Sequence, residues 1–166
     1  MGVASRRITH LSLGSNLGDR EANIRAAVDQ LSTELRILQV SSIYETAPLG
    51  VVDQPQFFNI ALEAETILPP LGLLTRLKEI EEQLGREPSY HWGPRVIDID
   101  IILFGRLHQD TAELVIPHAA MMRRAFVLVP LVEIAPNEVH PVIGLSVSRL
   151  LDDVSGRETV RKVKRY

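Results

Sequence analysis

The chain has 166 residues, the size of one domain, and its 45% hydrophobic and 23% charged residues with 10 Gly and 10 Pro exclude collagen-like, disordered and coiled-coil classes. A net charge of −3 gives no basic field to draw it to nucleic acid. With no cysteine, disulfide scaffolds, thiolate zinc sites and cysteine nucleophiles are excluded.

No apolar run is long enough to span a membrane, and no apolar segment follows Arg6 and Arg7 as in a secretory signal. The reading is a single domain over residues 1–166 in the cytoplasm. The basic residues are 15 Arg and 3 Lys; arginine suits bidentate phosphate recognition.

Ile8 to Leu13 reads as a strand, with Leu11 and Leu13 on one face and His10 and Ser12 on the other. Gly14-Ser15-Asn16 turns the chain, and Asp19 is placed to cap a helix running to about Leu35. Ile24, Val28, Leu31 and Leu35 form its apolar stripe. Ile37 to Tyr44 is predicted as one strand, and Ala47 to Pro55 as a loop. Phe57 to Thr66 alternates, with Phe58, Ile60, Leu62 and Ala64 opposite Phe57, Asn59, Glu63 and Glu65. Pro69-Pro70 opens a helix with Leu73, Leu77, Ile80 and Leu84 in a stripe, and Gly85 ends it.

Arg86 to Pro94 is a second loop. Val96 to Leu103 is a clear strand, with Ile97, Ile99 and Ile101 on one face, and is expected to be central in its sheet. Leu114 to Ile116 is a short strand, Ala125 to Ile134 a helix containing Pro130, Val147 to Val154 a short helix, and Thr159 to Lys164 a last strand. The order β-α-β-β-α-β is the ferredoxin-like split βαβ: an α+β fold, its mainly antiparallel sheet packed with helices in three α/β/α layers.

Asp98-Ile99-Asp100 carries the sharpest chemical signal. A strand has period two, so both carboxylates point to one face. Two like charges that close repel unless a cation lies between them, and aspartate is depleted in strands. Hard oxygens without soft ligands suit Mg²⁺, which so held usually also binds substrate phosphates. Arg95 lies on the approach to the pair, placed to clamp a phosphate oxygen. No G-x-x-x-x-G-K-[ST] loop and no protein-kinase set is present. Phe57 with Asn59 offers stacking and hydrogen bonds to a flat heterocycle. His118 and Arg123-Arg124 add a polar cluster, and the basic tail Arg161 to Arg165 reads as a solvated strand.

These residues together resemble the 6-hydroxymethyl-7,8-dihydropterin pyrophosphokinase family of folate biosynthesis. The resemblance runs through Leu13 to Asp19, Tyr44 to Gly50, Asp53 to Asn59, Ile116 to His118, Arg124 to Phe126 and Pro130 to Pro136. Its most specific piece is Trp92 to Ile101, which is similar to the family signature. The chain differs from the family pattern at Pro88, His91, Glu113, Val115 and Ala119. The resemblance implies transfer of the β,γ-pyrophosphoryl unit of ATP to the pterin hydroxymethyl group, giving AMP. Asp98 and Asp100 would bind two Mg²⁺, and Arg95 and Arg86 would act as catalytic arginines. Phe57 and Phe126 would sandwich the pterin. Thr46, Pro48, Leu49, Gly50, Asn59 and Trp92 would complete its site. Glu81, Arg86, Arg95, Ile101, His118 and Arg124 would bind the nucleotide. The loops Ala47 to Pro55 and Arg86 to Pro94 would close as lids. The implied partners are two small molecules, ATP and a dihydropterin, bound by a monomer, with no nucleic acid and no membrane.

Two other classes remain in view. One is a non-catalytic ligand-binding module on the same fold, distinguished by ATP consumption with and without pterin. The other is an RNA-binding module, which needs exposed aromatics and basic residues where this chain presents Asp98 and Asp100.

Overall fold

In a computed structural model of the chain, residues 4–47, 53–85 and 94–166 are described. β1 (Arg7–Ser15) leads into α1 (Arg20–Leu31), then β2 (Arg36–Val40), β3 (Ile43–Thr46) and β4 (Phe57–Thr66). α2 (Pro70–Gln83) and β5 (Asp98–Phe104) follow. The short pair β6 (Gln109–Asp110) and β7 (Val115–Ile116) precedes α3 (Ala125–Ile134), α4 (Val147–Asp153) and β8 (Arg161–Lys164). The main sheet runs β5-β1-β4-β3-β8, with β2 also paired to β4, and every pairing is antiparallel. Four of these strands with α1 and α2 reproduce the predicted split βαβ order.

Both sheet faces are buried, which gives three layers. On one face Leu11, Leu13, Ile60, Leu62, Ile97, Ile99 and Ile101 pack with Ile24 and Leu31 of α1 and Leu73, Leu77 and Ile80 of α2. On the other, Ala61, Ile102 and Leu103 pack under Val127, Leu128 and Leu131 of α3 and Val147 and Leu150 of α4. Ile102 and Leu103 are consecutive yet share this second core. A bulge explains it: His10 pairs Leu103 and Leu11 pairs Ile101, so Ile102 has no partner on β1 and the alternation resets.

Asp19 caps α1 as expected, its Oδ1 accepting the Ala22 N–H at 3.0 Å. The helix stops at Leu31, short of the predicted Leu35. Ser32 and Thr33 donate their hydroxyls to the carbonyls of Asp29 and Gln30, taking the ends that another turn would use. Leu35 stays buried without being helical.

The predicted strand Ile37 to Tyr44 is two strands. Val40 pairs Leu62 whereas Tyr44 pairs Asn59, so one extra residue is taken up between them. Ser41 and Ser42 occupy the break. Ser41 Oγ accepts the Ala61 N–H at 2.9 Å, and Ser42 gives both its N–H and its hydroxyl to Glu133 of α3.

The expectation that the Asp98–Asp100 strand is central is overturned: among the described residues β5 ends the sheet and pairs with β1 alone. Isoleucines on one face made it read as central, but helix α2 supplies that burial. Its open edge is covered instead of paired. Ile99 N–H donates to Glu81 Oε1 of α2 at 2.8 Å, and Ile102 O accepts the His118 N–H at 3.0 Å. Unpaired edge groups are thereby satisfied without a further strand.

Candidate active site

Asp98 and Asp100 leave β5 on the face opposite Ile99 and Ile101 and line one cleft. Ser12 and Gly14 of β1, Phe57 and Asn59 of β4, Thr46, Ala47, Arg95, Arg124 and Phe126 complete that lining. The antiparallel register puts Ser12 beside Asp100 and Gly14 beside both Asp98 and Asn59. Three strands thus present their period-two residues in a single row across the cleft floor.

Asn59 is buried, and its Nδ2 donates to Thr46 Oγ1 at 2.8 Å. Its amide lies over Gly14, where a Cβ would come within 2.8 Å of Asn59 Oδ1. Only glycine leaves that amide room. Phe126 opens α3 from the far side, and the Arg124 guanidinium lies 5.6 Å from the centre of its ring.

Asn16 holds three segments around this cleft. Its Oδ1 accepts the Arg95 N–H at 2.6 Å, and its own N–H donates to Arg95 O at 3.0 Å. Its Nδ2 reaches Gln54 Oε1 and Pro55 O at 2.9 and 3.1 Å. The end of β1, the entry to β4 and the approach to β5 are thereby fixed together.

A second cleft adjoins the first. It is lined by Leu74 and Lys78 of α2, Ile99, Asp100 and Ile101 of β5, and Glu113, Leu114, Val115, His118 and Ala119. Asp100 belongs to both clefts. His118 Nε2 lies 3.9 Å from Asp100 Oδ2, while its Nδ1 accepts the Ala120 N–H at 3.1 Å. That contact leaves the ring proton on Nε2, facing Asp100. Burial pushes the His118 imidazole below its ordinary range; the Asp100 carboxylate opposes this and the Arg124 charge adds to it.

Thr46, Phe57, Asn59, Arg95, Asp98, Asp100, Arg124 and Phe126 are therefore brought to one cleft, and Ile101 and His118 to the next. Glu81 departs from its expected place. It lines neither cleft, is 2% exposed, and turns its Oε1 onto the β5 edge. Arg86, Trp92, Pro48, Leu49 and Gly50, with most of both expected lids, lie outside the described residues. Sequence reasoning missed Ser12 and Asn16 as site residues. Ser12 was legible from period two, standing between His10 and Gly14. Asn16 read only as part of a turn, because its partners lie 38 to 79 residues away.

The family model for 7,8-dihydro-6-hydroxymethylpterin-pyrophosphokinase matches residues 10–136, which include the whole row of cleft residues. The chain belongs to this family. Its activity is that of a pyrophosphokinase in folate biosynthesis. A Bacillus subtilis protein named 2-amino-4-hydroxy-6-hydroxymethyldihydropteridine pyrophosphokinase is 48% identical over 129 residues, covering 76% of this chain and 77% of that protein. An Aquifex aeolicus protein of the same name is 41% identical over 133 residues, covering 80% and 83%. The Pneumocystis carinii folic acid synthesis protein fol1 is 40% identical over 146 residues, but this chain spans only 20% of it. In fold, the chain is similar to a Plasmodium falciparum HPPK-DHPS crystal structure, with a TM-score of 0.75 at 16% identity over 98% of this chain and 48% of that one.

Proposed function

We propose that the two clefts bind a dihydropterin and ATP respectively, and that Asp98 and Asp100 carry the transfer between them. The observation that supports this most is Asp100 lining both clefts. In the reaction, the hydroxymethyl oxygen of 6-hydroxymethyl-7,8-dihydropterin bonds to the β-phosphorus of ATP. The bond from that phosphorus to the α-phosphate bridging oxygen breaks. AMP leaves, and the hydroxyl proton is released.

Phe57 and Phe126 flank the pterin ring, and Asn59, held by Thr46, reads its edge. Rings stacked in this way are stabilised beyond area burial alone. Arg95 and Arg124, both in the lining of the first cleft, bind the polyphosphate, a guanidinium fork matching phosphate oxygens. His118 and the apolar wall of Leu74, Ile101 and Leu114 take the nucleoside end. Glu81 acts indirectly, holding the β5 edge between the two aspartates.

The donor set fits Mg²⁺. Asp98 and Asp100 supply hard oxygens from one face of one strand, and Asp100 is half-exposed to the cleft. Two Mg²⁺ held there would neutralise phosphate charge and lower the pKa of the substrate hydroxyl. The chain's own task is to orient: β5 fixes the carboxylates relative to Gly14 and Asn59, and so to the ring. A single chain acting as a monomer on these two small molecules completes the reading. The use of ATP supports a cytoplasmic setting.

Phosphorus NMR of a reaction containing ATP, the dihydropterin and Mg²⁺ tests this. The reading requires a pterin diphosphate and AMP in equal amounts. ADP with a pterin monophosphate, or ATP loss that does not need the pterin, would overturn it.

A further inference from the structure

The floor of the first cleft holds a hydroxyl without a partner. Ser12 of β1 is 8% exposed and lines that cleft. Its Oγ makes no hydrogen bond to any described residue. The other buried serine and threonine hydroxyls among the described residues are all used. Thr9 donates to Leu103 O at 2.8 Å, Ser41 to Ser42 O and Ser42 to Glu133. Ser15, Thr46 and Thr66 accept from Asn23 Nδ2, Asn59 Nδ2 and the Leu68 N–H. A buried polar group left bare costs free energy and is rare. One that is bare and opens into a cleft points to a partner that the ligand brings.

The strand register fixes the surroundings of Ser12. It stands between Asp100 of β5 and Ala61 of β4, while Gly14, one strand period along, stands between Asp98 and Asn59. Residues directly opposite on one face have Cβ atoms about 4.5–5.5 Å apart. Ala61 has no polar side chain, and its N–H is taken by Ser41 Oγ. The ionised carboxylate of Asp100 accepts and does not donate. The Ser12 proton therefore turns to Asp100, and the lone pairs of its oxygen are left for a donor from the ligand. With the ring edge at Asn59 and the transfer at the two aspartates, the group of the ring that reaches this row is the hydroxymethyl.

Resting on the pterin reading of this cleft, we propose that Ser12 binds the hydroxymethyl group of the substrate. The substrate O–H donates to Ser12 Oγ, and the Ser12 O–H donates to the Asp100 carboxylate. The hydroxymethyl oxygen is the atom that bonds to phosphorus. Pointing its proton at Ser12 leaves its lone pairs free to face the nucleotide, so the contact orients the nucleophile. It also selects for a hydroxyl, because a 6-methyl ring in the same place leaves Ser12 bare.

Calorimetry on the full chain tests this, with Mg²⁺ and the α,β-methylene analogue of ATP present so that the bond to be cleaved cannot break. Two ligands are compared, 6-hydroxymethyl-7,8-dihydropterin and its 6-methyl counterpart. Ser12→Ala removes one oxygen from a small side chain and leaves the strand packing intact. It is expected to weaken the hydroxymethyl compound about 2- to 12-fold, the worth of one hydrogen bond, and to leave the methyl compound unchanged. Affinity for the ATP analogue is expected to stay as in the parent. Equal losses for both pterins, or no loss for either, would overturn the contact. A loss shared with the ATP analogue would overturn it too, since Ser12 would then act through Asp100. A parent chain that binds neither pterin would overturn the pterin reading and this proposal with it.

Discussion

A Cβ placed on Gly14 would lie 2.8 Å from Asn59 Oδ1 and 3.5 Å from the Phe57 ring. Asn59 is short, buried and already bonded to Thr46, so it has little freedom to withdraw. Gly14→Ala is therefore expected to displace the pterin-reading amide. Steady-state kinetics should show the KM for pterin raised about tenfold, with the KM for ATP nearly unchanged. An unaltered pterin KM would show that the amide does not read the ring. Phe126→Ala tests the stacking partner from the opposite wall. The loss beyond burial is about 0.5–1.5 kcal/mol, on the order of 2- to 12-fold in pterin affinity. Calorimetry that found equal losses for pterin and ATP would reduce Phe126 to a packing residue. The carboxylate pair, Phe57 and Asn59 were legible in the sequence because period two fixes a strand's faces without tertiary knowledge, whereas Phe126, on helix α3, came only with the family resemblance. Glu81 was not. The family resemblance set it with the nucleotide, and only the folded arrangement turns its carboxylate onto the Ile99 N–H.

At the level of elements, α3 is joined to the break between β2 and β3 through Glu133. Its two oxygens accept Ser42 N–H, Ser42 Oγ–H and Tyr44 O–H. Burial alone would raise this carboxyl, but the hydrogen bonds from Tyr44 and Ser42 outweigh it and hold it below the ordinary range. Tyr44 responds in the opposite sense: burial, then the bond to Glu133, raises its phenol well above the usual value. A depressed carboxyl contributes stability above its unfolded pKa and loses it as pH falls through the folded one. A raised phenol contributes below its unfolded pKa and loses it as pH rises through the folded one. Glu133→Gln is expected to cost about 1 kcal/mol near neutral pH, the partial exposure of the group keeping the figure low. Urea midpoints should converge for variant and parent as pH falls through the folded pKa of Glu133. A gap that stays constant into acid would mean that the Glu133 charge is not what ties α3 to the sheet. The single predicted strand from Ile37 to Tyr44 failed here for a physical reason. Ser41 and Ser42 are compatible with a strand locally, and what breaks it is Glu133, 91 residues away.

For the whole molecule, local patterning was sufficient for the order of elements and for the split βαβ arrangement. Alternation gave β1 and β4, the Asp19 cap and the Pro69-Pro70 pair gave the starts of α1 and α2, and the long helices demanded a sheet to cover. The position of β5 at the end of that sheet was not legible, because helix burial and strand burial leave the same apolar row. The edge position matters to function. It lets Asp100 face two clefts at once, one toward Phe57 and Phe126 and one toward Leu74 and His118. Turnover by Asp98→Ala and Asp100→Ala, each checked for an unchanged fold by circular dichroism, tests this account most directly. Removing like charges from one strand face leaves the cores untouched, so both variants are predicted to fold as the parent does while pterin-dependent AMP formation falls by at least about a thousandfold, roughly 4 kcal/mol of transition-state stabilisation. A folded variant of either kind that still forms AMP at near the parent rate would contradict it.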